Sequence, residues 1–498
     1  MDVLQNIFLG FQVSLQPVNL LYCFLGVLIG TLIGVLPGIG PVGAMSMLLP
    51  VTFHAPPVAS IIMLAGIYYG AMYGGSTTSI LVNIPGEAVS VVTCLDGYQM
   101  ARQGRAGPAL GISAFGSFIA GTIGVLGLML LAQPLARAAL KFGPPEYFSL
   151  MILGLILLTY LAQKSLVKSL IMATLGLLLS YVGLDTVSGQ VRFTLDVVEL
   201  LEGIGIIPIV MGFFGIAEIL ENLEATITRS VLKTHMKGLF PNLKDWANSI
   251  FPIFRGTVLG FFLGILPGGG AVLSSFVSYA VEKRVSKHPE KFGRGAIEGV
   301  AGPEAANNSA SSGAFIPLMT LGIPSNVVMA MLFSGLLIHG LQPGPLLIKE
   351  SPDLFWGVIA SMYIGNAMLL VLNLPLIGMW VQLLRVPFRF LFPMIILFCI
   401  IGVYSVNNSL LDVGLMIFFG IFGYLMRKFD YEPAPLVLAY VLGPMLEQAM
   451  RQSLRMSNGS FTIFFSRPIS VICLAICLFL LVVSFGQIRK KRRNNPRQ

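Results

Sequence analysis

The sequence predicts an all-α polytopic membrane protein built from two structural repeats with broken or re-entrant helices. Composition, long apolar stretches and a recurring motif support this prediction. Of the 498 residues, 55% are hydrophobic and only 11% are charged, and the mean hydropathy is +0.85. A chain of this size has too few polar residues to cover a water-soluble globule. Lipid is therefore the expected solvent.

Long apolar stretches predict the membrane segments, since a spanning helix needs about 20 mainly apolar residues. We expect roughly 11–13 segments, from stretches at residues 18–36, 59–84, 108–136, 147–163, 167–183, 203–220, 254–280, 326–347, 354–379, 388–407, 411–426 and 468–487. Glycine (55) and proline (30) occur inside these stretches as well as between them. Such breaks are tolerated in a bilayer only where the freed backbone is buried in protein or faces water.

The net charge of +9 is concentrated in two connections and a C-terminal run. The basic residues are Arg229, Lys233, Lys237 and Lys244 in one connection, Lys283, Arg284, Lys287, Lys291 and Arg294 in the other, and Arg489, Lys490, Lys491, Arg492 and Arg493 in the tail. Cytoplasmic loops of membrane proteins are rich in Lys and Arg, so this pattern indicates topology and does not imply nucleic-acid binding.

A glycine-proline motif occurs once in each half of the chain. Gly30-x3-Gly34-x-Leu36-Pro37-Gly38-x-Gly40 recurs as Gly260-x3-Gly264-x-Leu266-Pro267-Gly268-x-Gly270, and each copy is followed by a second break, Asn83–Gly86 or Gly322–Ser325. Ordered recurrence of two breaks favours structural repeats over coincidence. The predicted organisation is a first membrane repeat at 1–220, a polar connection at 221–250, a second membrane repeat at 251–488 and a basic cytoplasmic tail at 489–498.

The same motifs make a packing prediction. Gly30/Gly34, Gly66/Gly70/Gly74 and Gly256/Gly260/Gly264 are small-xxx-small series. Small residues at this spacing let the backbones of two membrane helices approach closely. We therefore expect close helix pairs at these glycines.

The breaks also predict an anion site. Proline and glycine end one helix, and the next helix then presents unpaired N–H groups with a partial positive charge. In discontinuous-helix transporters such N-termini hold substrate carboxylates, while unwound carbonyls bind Na⁺. A simple kink is the alternative, but recurrence favours a site at the repeat interface, where the two Leu-Pro-Gly breaks should meet. The candidate residues are Pro37, Gly38, Gly40, Asn83, Pro85, Gly86, Pro267, Gly268, Gly269, Gly270, Gly322, Pro324 and Ser325.

Polar side chains beside the breaks extend the candidate site. They are Ser76 and Thr77 in the first half and Glu304, Asn307, Asn308 and Ser309 in the second. Amides and hydroxyls at membrane depth can replace the water around an ion or a carboxylate. Glu304 would add a charge for a coupling cation, unless it lies in a solvated loop.

Other acidic residues are weaker candidates. Glu87, Asp96 and Asp185 flank turns and are expected to be exposed, whereas Glu218 marks either a membrane segment or a cytoplasmic helix end. Glu447 and Arg451 have i,i+4 spacing, which predicts a salt bridge within one helix.

Catalytic and nucleotide-binding motifs are not supported. Gly38–Gly43 reads GxGxxG, but a dinucleotide site needs a preceding strand and an acid about 20 residues on. There is no GxxxxGK[ST], the five cysteines form no CxxC, and the four histidines form no HExxH. We predict neither catalytic residues nor a metal site, and no cofactor beyond a coupling cation, Na⁺ or H⁺. The alternative function, an intramembrane enzyme acting on a lipid-linked substrate, would need a nucleophile–base pair or a metal cluster that the spacing does not provide.

Ordered motifs along nearly the whole chain resemble one transporter family. They are Gly34–Pro41, Tyr73–Ser76, Asn83–Glu87, Leu95–Tyr98, Phe142–Phe148, Arg192–Thr194, Gly299–Asn308, Leu321–Pro324, Gly402–Ser405 and Pro435–Leu438. In these motifs the chain resembles the large membrane subunit of tripartite tricarboxylate transporters, the TctA family.

The resemblance implies a three-part uptake system in the bacterial inner membrane. A periplasmic solute-binding protein would deliver a small organic acid, such as a tricarboxylate, to this large permease, which would work with a small membrane subunit. Uptake in the family is driven by a Na⁺ or H⁺ gradient. Membrane lipid is the other expected partner.

Overall fold

The computed structural model describes residues 3–36, 40–161, 165–185, 187–224, 238–267, 270–384 and 388–494. The first half contains α1 (Val3–Ser14), α2 (Pro17–Val35), α3 (Gly40–Thr52), α4 (Pro57–Val82), α5 (Val91–Arg102), α6 (Ala106–Ala139), α7 (Pro144–Leu161), α8 (Leu166–Ser180), α9 (Ile206–Val210) and α10 (Ala217–Glu224). The second contains α11 (Leu243–Ile265), α12 (Gly270–Val285), α13 (Glu298–Leu321), α14 (Val327–Ile338), α15 (Leu347–Glu350), α16 (Pro352–Asn373), α17 (Ile377–Leu383), α18 (Phe388–Asn407), α19 (Leu410–Lys428), α20 (Pro433–Met456), α21 (Ile463–Ser466) and α22 (Pro468–Asn494).

Short elements complete the fold. Single turns of 3₁₀ helix lie at Ala88–Ser90 and Pro289–Lys291, with a longer one at Val198–Glu202, and a π-helical turn at Met211–Ile216 joins α9 to α10. The strands β1 (Gly183–Leu184) and β2 (Val191–Arg192) pair antiparallel, with Gly183 opposite Arg192. The all-α prediction is confirmed.

Several described helices could cross a membrane. Seven are long and apolar enough: Pro17–Val35, Pro57–Val82, Ala106–Ala139, Ile206–Glu224, Leu243–Ile265, Pro352–Asn373 and Leu410–Lys428. Six more apolar helices are shorter: Gly40–Thr52, Pro144–Tyr160, Leu166–Ser180, Val327–Ile338, Phe392–Asn407 and Pro468–Val483. The polytopic membrane class is thus confirmed, while the number of segments stays a prediction.

The glycine series lie where helices pack closest. In the first half α2 runs along α4, and a Cβ on Gly30 would lie 2.6 Å from the Ile67 carbonyl oxygen. In the second half α11 runs along α13, and Cβ atoms on Gly260 and Gly264 would collide with the backbone of Ala306 and Ala310. The packing prediction is confirmed, because any larger residue would force these backbones apart.

The two halves share an order of elements. A glycine-lined helix (α2 or α11) is followed by the break, a shorter helix (α3 or α12) and a long buried helix (α4 or α13). Each buried helix ends at a residue with a left-handed backbone, Asn83 (φ 60°) or Gly322 (φ 72°). The limits of the predicted repeats stay a prediction, and residues 225–237 of the connection and 495–498 of the tail lie outside the described residues.

Helices α4 and α13 form the centre of the fold. Nearly all of their residues are buried, because α6 packs across α13 and α16 packs across α4. Apolar side chains such as Leu126, Leu130 and Phe262 are exposed on the outside, as lipid contact requires. The polar residues of the two central helices are therefore enclosed between helices.

The predicted exposure of Asp96 is wrong. Asp96 is fully buried on α5, where Oδ1 accepts hydrogen bonds from the N–H groups of Gly293 (2.9 Å), Gly295 (2.7 Å) and Ala296 (2.8 Å). Its Oδ2 accepts from the Tyr279 hydroxyl at 2.9 Å. The carboxylate satisfies the backbone N–H groups of the loop before α13, which sequence spacing could not reveal.

Asp185 is also buried, in a cluster of ion pairs near β1 and β2. It pairs with Arg192 and with Arg451 (3.1 Å), and Arg451 pairs in turn with Glu447 at 2.6 Å. The hydroxyl of Ser188, the N–H of Val187 and the two arginines hold the pKa of Asp185 well below its ordinary value. The predicted Glu447–Arg451 salt bridge is confirmed, and the predicted exposure of Asp185 is wrong.

Candidate binding site

One cavity of about 410 Å³ lies where helix starts from both halves come together. Its wall includes the first residues of α3, α12 and α14 and the short segment before α5. These wall residues are Gly40, Pro41 and Val42; Gly270, Ala271 and Val272; Asn326, Val327 and Val328; and Gly86, Glu87, Ala88 and Val89. Gly40 and Gly270, the last residues of the two motifs, line the same space, and the meeting of the two Leu-Pro-Gly breaks themselves stays a prediction.

The local backbone explains why helices begin at this cavity. Gly40 has φ 63°, a left-handed conformation that suits glycine, and α3 begins there. Asn326 caps α14 by accepting a hydrogen bond from the Met329 N–H at 2.9 Å. The first N–H groups of a helix have no acceptor within it and carry a partial positive charge, so the wall is suited to an anion.

The other residues of the breaks have different positions. Asn83 is exposed and terminates α4, Gly322 terminates α13, and Pro85 and Pro324 lie in the short non-helical segments that follow. Ser325 is buried, and its hydroxyl donates to the Ala314 carbonyl at 3.4 Å, so it faces α13. Pro267 packs near Gly154, while Pro37, Gly38, Gly268 and Gly269 lie outside the described residues. Of the predicted break residues, Gly40, Gly86 and Gly270 line the cavity.

Glu304 lies in a polar cluster at the centre of the fold. It is 1% exposed within α13, so the alternative of a solvated loop is wrong. Ser76 Oγ on α4 donates to Glu304 Oε2 at 2.5 Å, and Thr93 Oγ1 on α5 donates to Oε1. Both oxygens of this carboxyl group therefore have a hydroxyl donor from the first half.

The polar residues that follow Glu304 on α13 differ in their hydrogen-bond partners. Asn308 Nδ2 donates to Ser117 Oγ at 2.7 Å, and Ser309 Oγ donates to the Thr257 carbonyl at 2.8 Å, so these two side chains join helices. Thr77 is buried on α4 beside the cluster. Asn307 is 1% exposed, and within the described part of the chain neither atom of its amide has a partner. An unpaired buried amide is costly, which leaves Asn307 able to hold an ion or water.

Glu87 is a wall residue that sequence reasoning placed wrongly. It was expected to be exposed at a turn, but it is 9% exposed and lines the cavity. The segment that follows α4 folds back onto α2 and α4. A Cβ on Gly86 would collide with the Gly34 carbonyl of α2 and lie 2.6 Å from Gly75 Cα of α4. Among the described residues, Glu87 Oε1 has no hydrogen-bond donor.

Sequence reasoning also missed a cation at the cavity. Arg427, at the end of α19, lines the wall together with Glu218 of α10. Its guanidinium donates to Glu218, to Glu221 Oε2 at 2.8 Å and to the Phe213 carbonyl at 3.0 Å. The anion site was predicted without an arginine because a basic residue at the end of an apolar stretch is typical of a cytoplasmic flank.

Comparison with known proteins supports the transporter resemblance. The model of the tripartite tricarboxylate transporter TctA family matches residues 20–438. This chain belongs to the TctA family. Every wall residue of the cavity, from Gly40 to Leu438, falls within the matched residues.

Two relatives of this TctA-family chain come from Agrobacterium vitis. One, named "Uncharacterized 52.8 kDa protein in TAR-I ttuC' 3'region", is 53% identical over 99% of this chain and 98% of its own length. The other, "Uncharacterized protein in TAR-II ttuC' 3'region", is 52% identical over 47% of this chain and 97% of its own length. No solved structure gives a significant match.

Family membership gives the chain a place in a larger system. TctA proteins are the large subunits of tripartite transporters, which also contain a solute-binding protein and a small membrane subunit. The chain is therefore a multi-pass membrane subunit of a transport system.

Proposed function

We propose that the chain is the permease through which an organic acid crosses the bacterial inner membrane in symport with a cation. A periplasmic binding protein delivers the acid, and a small membrane subunit works beside the permease. The observation that carries the proposal is the cavity at which helix starts from both halves meet.

The cavity has the size and the charge for a small carboxylate. Its volume of about 410 Å³ falls within the range of small-molecule pockets, roughly 300–1,000 Å³. Each helix N-terminus attracts an anion by about 0.3–1 kcal/mol when exposed, and by more when partly buried. Arg427, which is paired with Glu218 and Glu221, brings a guanidinium to the same wall.

Cation coupling follows from the charge of the substrate. Importing an anion against an inside-negative potential costs about 2.3 kcal/mol per charge per 100 mV. A cation that binds with the anion lowers the net charge that moves. The oxygens that could receive a cation are those of Glu87 in the cavity wall and of Glu304 and Asn307, which are buried on α13.

The competing proposal of an intramembrane enzyme is weaker. The chain belongs to a transporter family, and its central carboxyl group, Glu304, is occupied by hydroxyl donors from two helices. A general acid or base must instead be within reach of a substrate proton.

Reconstitution tests the proposal. Purified chain, small subunit and binding protein are combined in proteoliposomes with radiolabelled citrate, succinate, malate or benzoate. We expect one of these acids to accumulate when a Na⁺ or H⁺ gradient is imposed, and to stop accumulating when ionophores collapse that gradient. Liposomes without the binding protein are the control. Equal accumulation with no ion gradient would contradict symport.

A further inference from the structure

We propose that Glu87 carries the coupling proton, so that its carboxyl group is protonated while the substrate's carboxylate occupies the cavity. This inference rests on the proposed function and specifies its coupling ion. The residue that carries the proton is Glu87, in the short segment between α4 and α5, and not Glu304 on α13.

The position of Glu87 provides the first argument. The residue lines the cavity next to Gly86, yet more than nine-tenths of its surface is buried. Its Oε1 lies against α4, within 3.4 Å of where a Cβ of Gly75 would be, and no donor reaches it from the described residues. An ionised carboxylate with an enclosed, undonated oxygen is unfavourable, and a proton removes that cost.

Substrate charge provides the second argument. A carboxylate held at the starts of α3, α12 and α14 shares the cavity with Glu87. Two like charges in one poorly solvated site disfavour each other, so binding the acid favours the protonated form of Glu87. The proton bonds to a Glu87 oxygen as the acid binds, and it leaves to water on the other side after the acid has left.

The chemistry of the wall favours a proton over Na⁺. Hard metal cations are held by several oxygen ligands, whereas a proton needs one carboxylate oxygen. The helix starts around Glu87 present N–H donors, which attract the acid and cannot serve as ligands for a metal ion.

The other charged groups nearby already have partners. Glu304 interacts electrostatically with Glu87, but hydroxyls occupy both of its oxygens and it does not line the cavity. Glu218 pairs with Arg427 on the cavity wall. On the elements that pack against this segment, Glu282 is bound by Arg255, Asp96 is bound by three N–H groups and Tyr279, and Tyr68 interacts with Asn326.

Substitution by glutamine tests the inference in the complete three-part system. Glu87→Gln keeps the shape of the side chain but cannot carry the proton. Each variant is assayed with the acid that wild type accumulates, first for accumulation under an inward proton gradient and then for exchange of labelled against unlabelled acid with no gradient. We expect proton-driven accumulation by Glu87→Gln to fall to the level of protein-free liposomes, and exchange to fall much less than accumulation, because exchange moves no net proton. Glu87→Asp, which retains a titratable group, should recover part of the accumulation.

Glu290→Gln is the matched control, since Glu290 is an exposed acid with 64% of its side chain accessible. Wild-type accumulation by Glu87→Gln would overturn the inference, as would accumulation by wild type that follows Na⁺ and ignores a pH gradient; both results leave the proposed function intact. Loss of exchange in Glu87→Gln at normal abundance would also overturn it, because Glu87 would then serve binding or folding. Wild type that accumulates no acid under any ion gradient would instead refute the proposed function.

Discussion

Ser76 Oγ donates a 2.5 Å hydrogen bond to Oε2 of Glu304, and this bond joins α4 in the first half of the chain to α13 in the second. The two residues are buried, with 2% and 1% of their surfaces exposed. Thr93 on α5 occupies the other carboxylate oxygen. The central contact between the halves is therefore a buried carboxyl group whose acceptor oxygens are satisfied from two helices, as a buried polar group requires.

Removing one donor should weaken this contact. Ser76→Ala leaves Glu304 Oε2 without its donor, which costs about 1–3 kcal/mol for a buried group. We expect a lower thermal unfolding midpoint in detergent and reduced uptake. Ser466→Ala is the control, because Ser466 is exposed and its hydroxyl donates to the Ile463 carbonyl within its own helix. Equal midpoints for both variants would show that the Ser76 hydroxyl contributes nothing to stability.

The glycine series make a second prediction. Gly260→Ala places a Cβ against the Ala306 backbone, and overpacking of this kind costs about 1–3 kcal/mol. Gly414→Ala, on α19, meets nothing within 4 Å, and the same change in an open helix position gains roughly 0.5–1 kcal/mol. The two variants should thus move the unfolding midpoint in opposite directions. A shift of the same sign in both would contradict the packing argument.

Local patterns in the sequence predicted those parts of the structure that depend on local chemistry. Glycine spacing identified the close helix pairs because a missing Cβ matters wherever two backbones touch. Proline and glycine located the helix ends at Asn83 and Gly322 for a similar reason. Glu304 could be predicted as a candidate site residue because a carboxyl group among small polar residues in an apolar chain is unusual.

The residues whose positions the sequence did not predict are placed by packing between distant segments. Glu87 follows a turn, and the sequence does not show that Gly86 folds back against Gly34 and buries the turn. Asp96 is buried because N–H groups some 200 positions away need an acceptor. Arg427 reaches the cavity because α19 packs on the π-helical turn at Met211–Ile216, a contact that has no sequence signature.

The ion-pair cluster at Asp185 predicts a pH dependence of stability. Hydrogen bonds from Ser188 and Val187, with Arg192 and Arg451, lower the pKa of Asp185 in the folded protein. Because its pKa is lower in the folded protein, ionised Asp185 stabilises the folded state at pH values above its pKa in the unfolded chain, about 3.9. This stabilisation is lost as the pH falls toward the pKa of Asp185 in the folded protein. Asp185→Asn should therefore be less stable than wild type at neutral pH, and the difference should shrink as the pH falls below about 4.

Unfolding midpoints measured across that pH range test this prediction. Glu202→Gln, at an exposed acid nearby, is the control and should follow wild type. A difference between Asp185→Asn and wild type that stays constant down to the acid limit would rule out the ionised carboxylate as its source.

Arg427 makes the last prediction, which concerns substrate affinity. The guanidinium lines the cavity and neutralises Glu218 on the same wall. Arg427→Ala removes a cation and also leaves Glu218 unpaired beside the site of an anionic substrate. Breaking a buried ion pair costs about 3–5 kcal/mol of folding stability, but Arg427 and Glu218 keep 18% and 29% of their side chains exposed. We therefore expect Arg427→Ala to lose only about 1–3 kcal/mol of folding stability, and to raise the KM for the acid.

A double-mutant cycle on uptake separates the two contributions. If Glu218 acts mainly through its charge, Arg427→Ala combined with Glu218→Gln should have a lower KM for the acid than Arg427→Ala alone, because the unpaired negative charge is gone. If Arg427 contacts the acid directly, the double variant should still have a higher KM than Glu218→Gln alone. Arg427→Lys keeps the charge but loses the planar fork that binds a carboxylate through two hydrogen bonds, so its KM should lie between those of wild type and Arg427→Ala. Wild-type KM values in all four variants would show that this wall of the cavity does not meet the substrate.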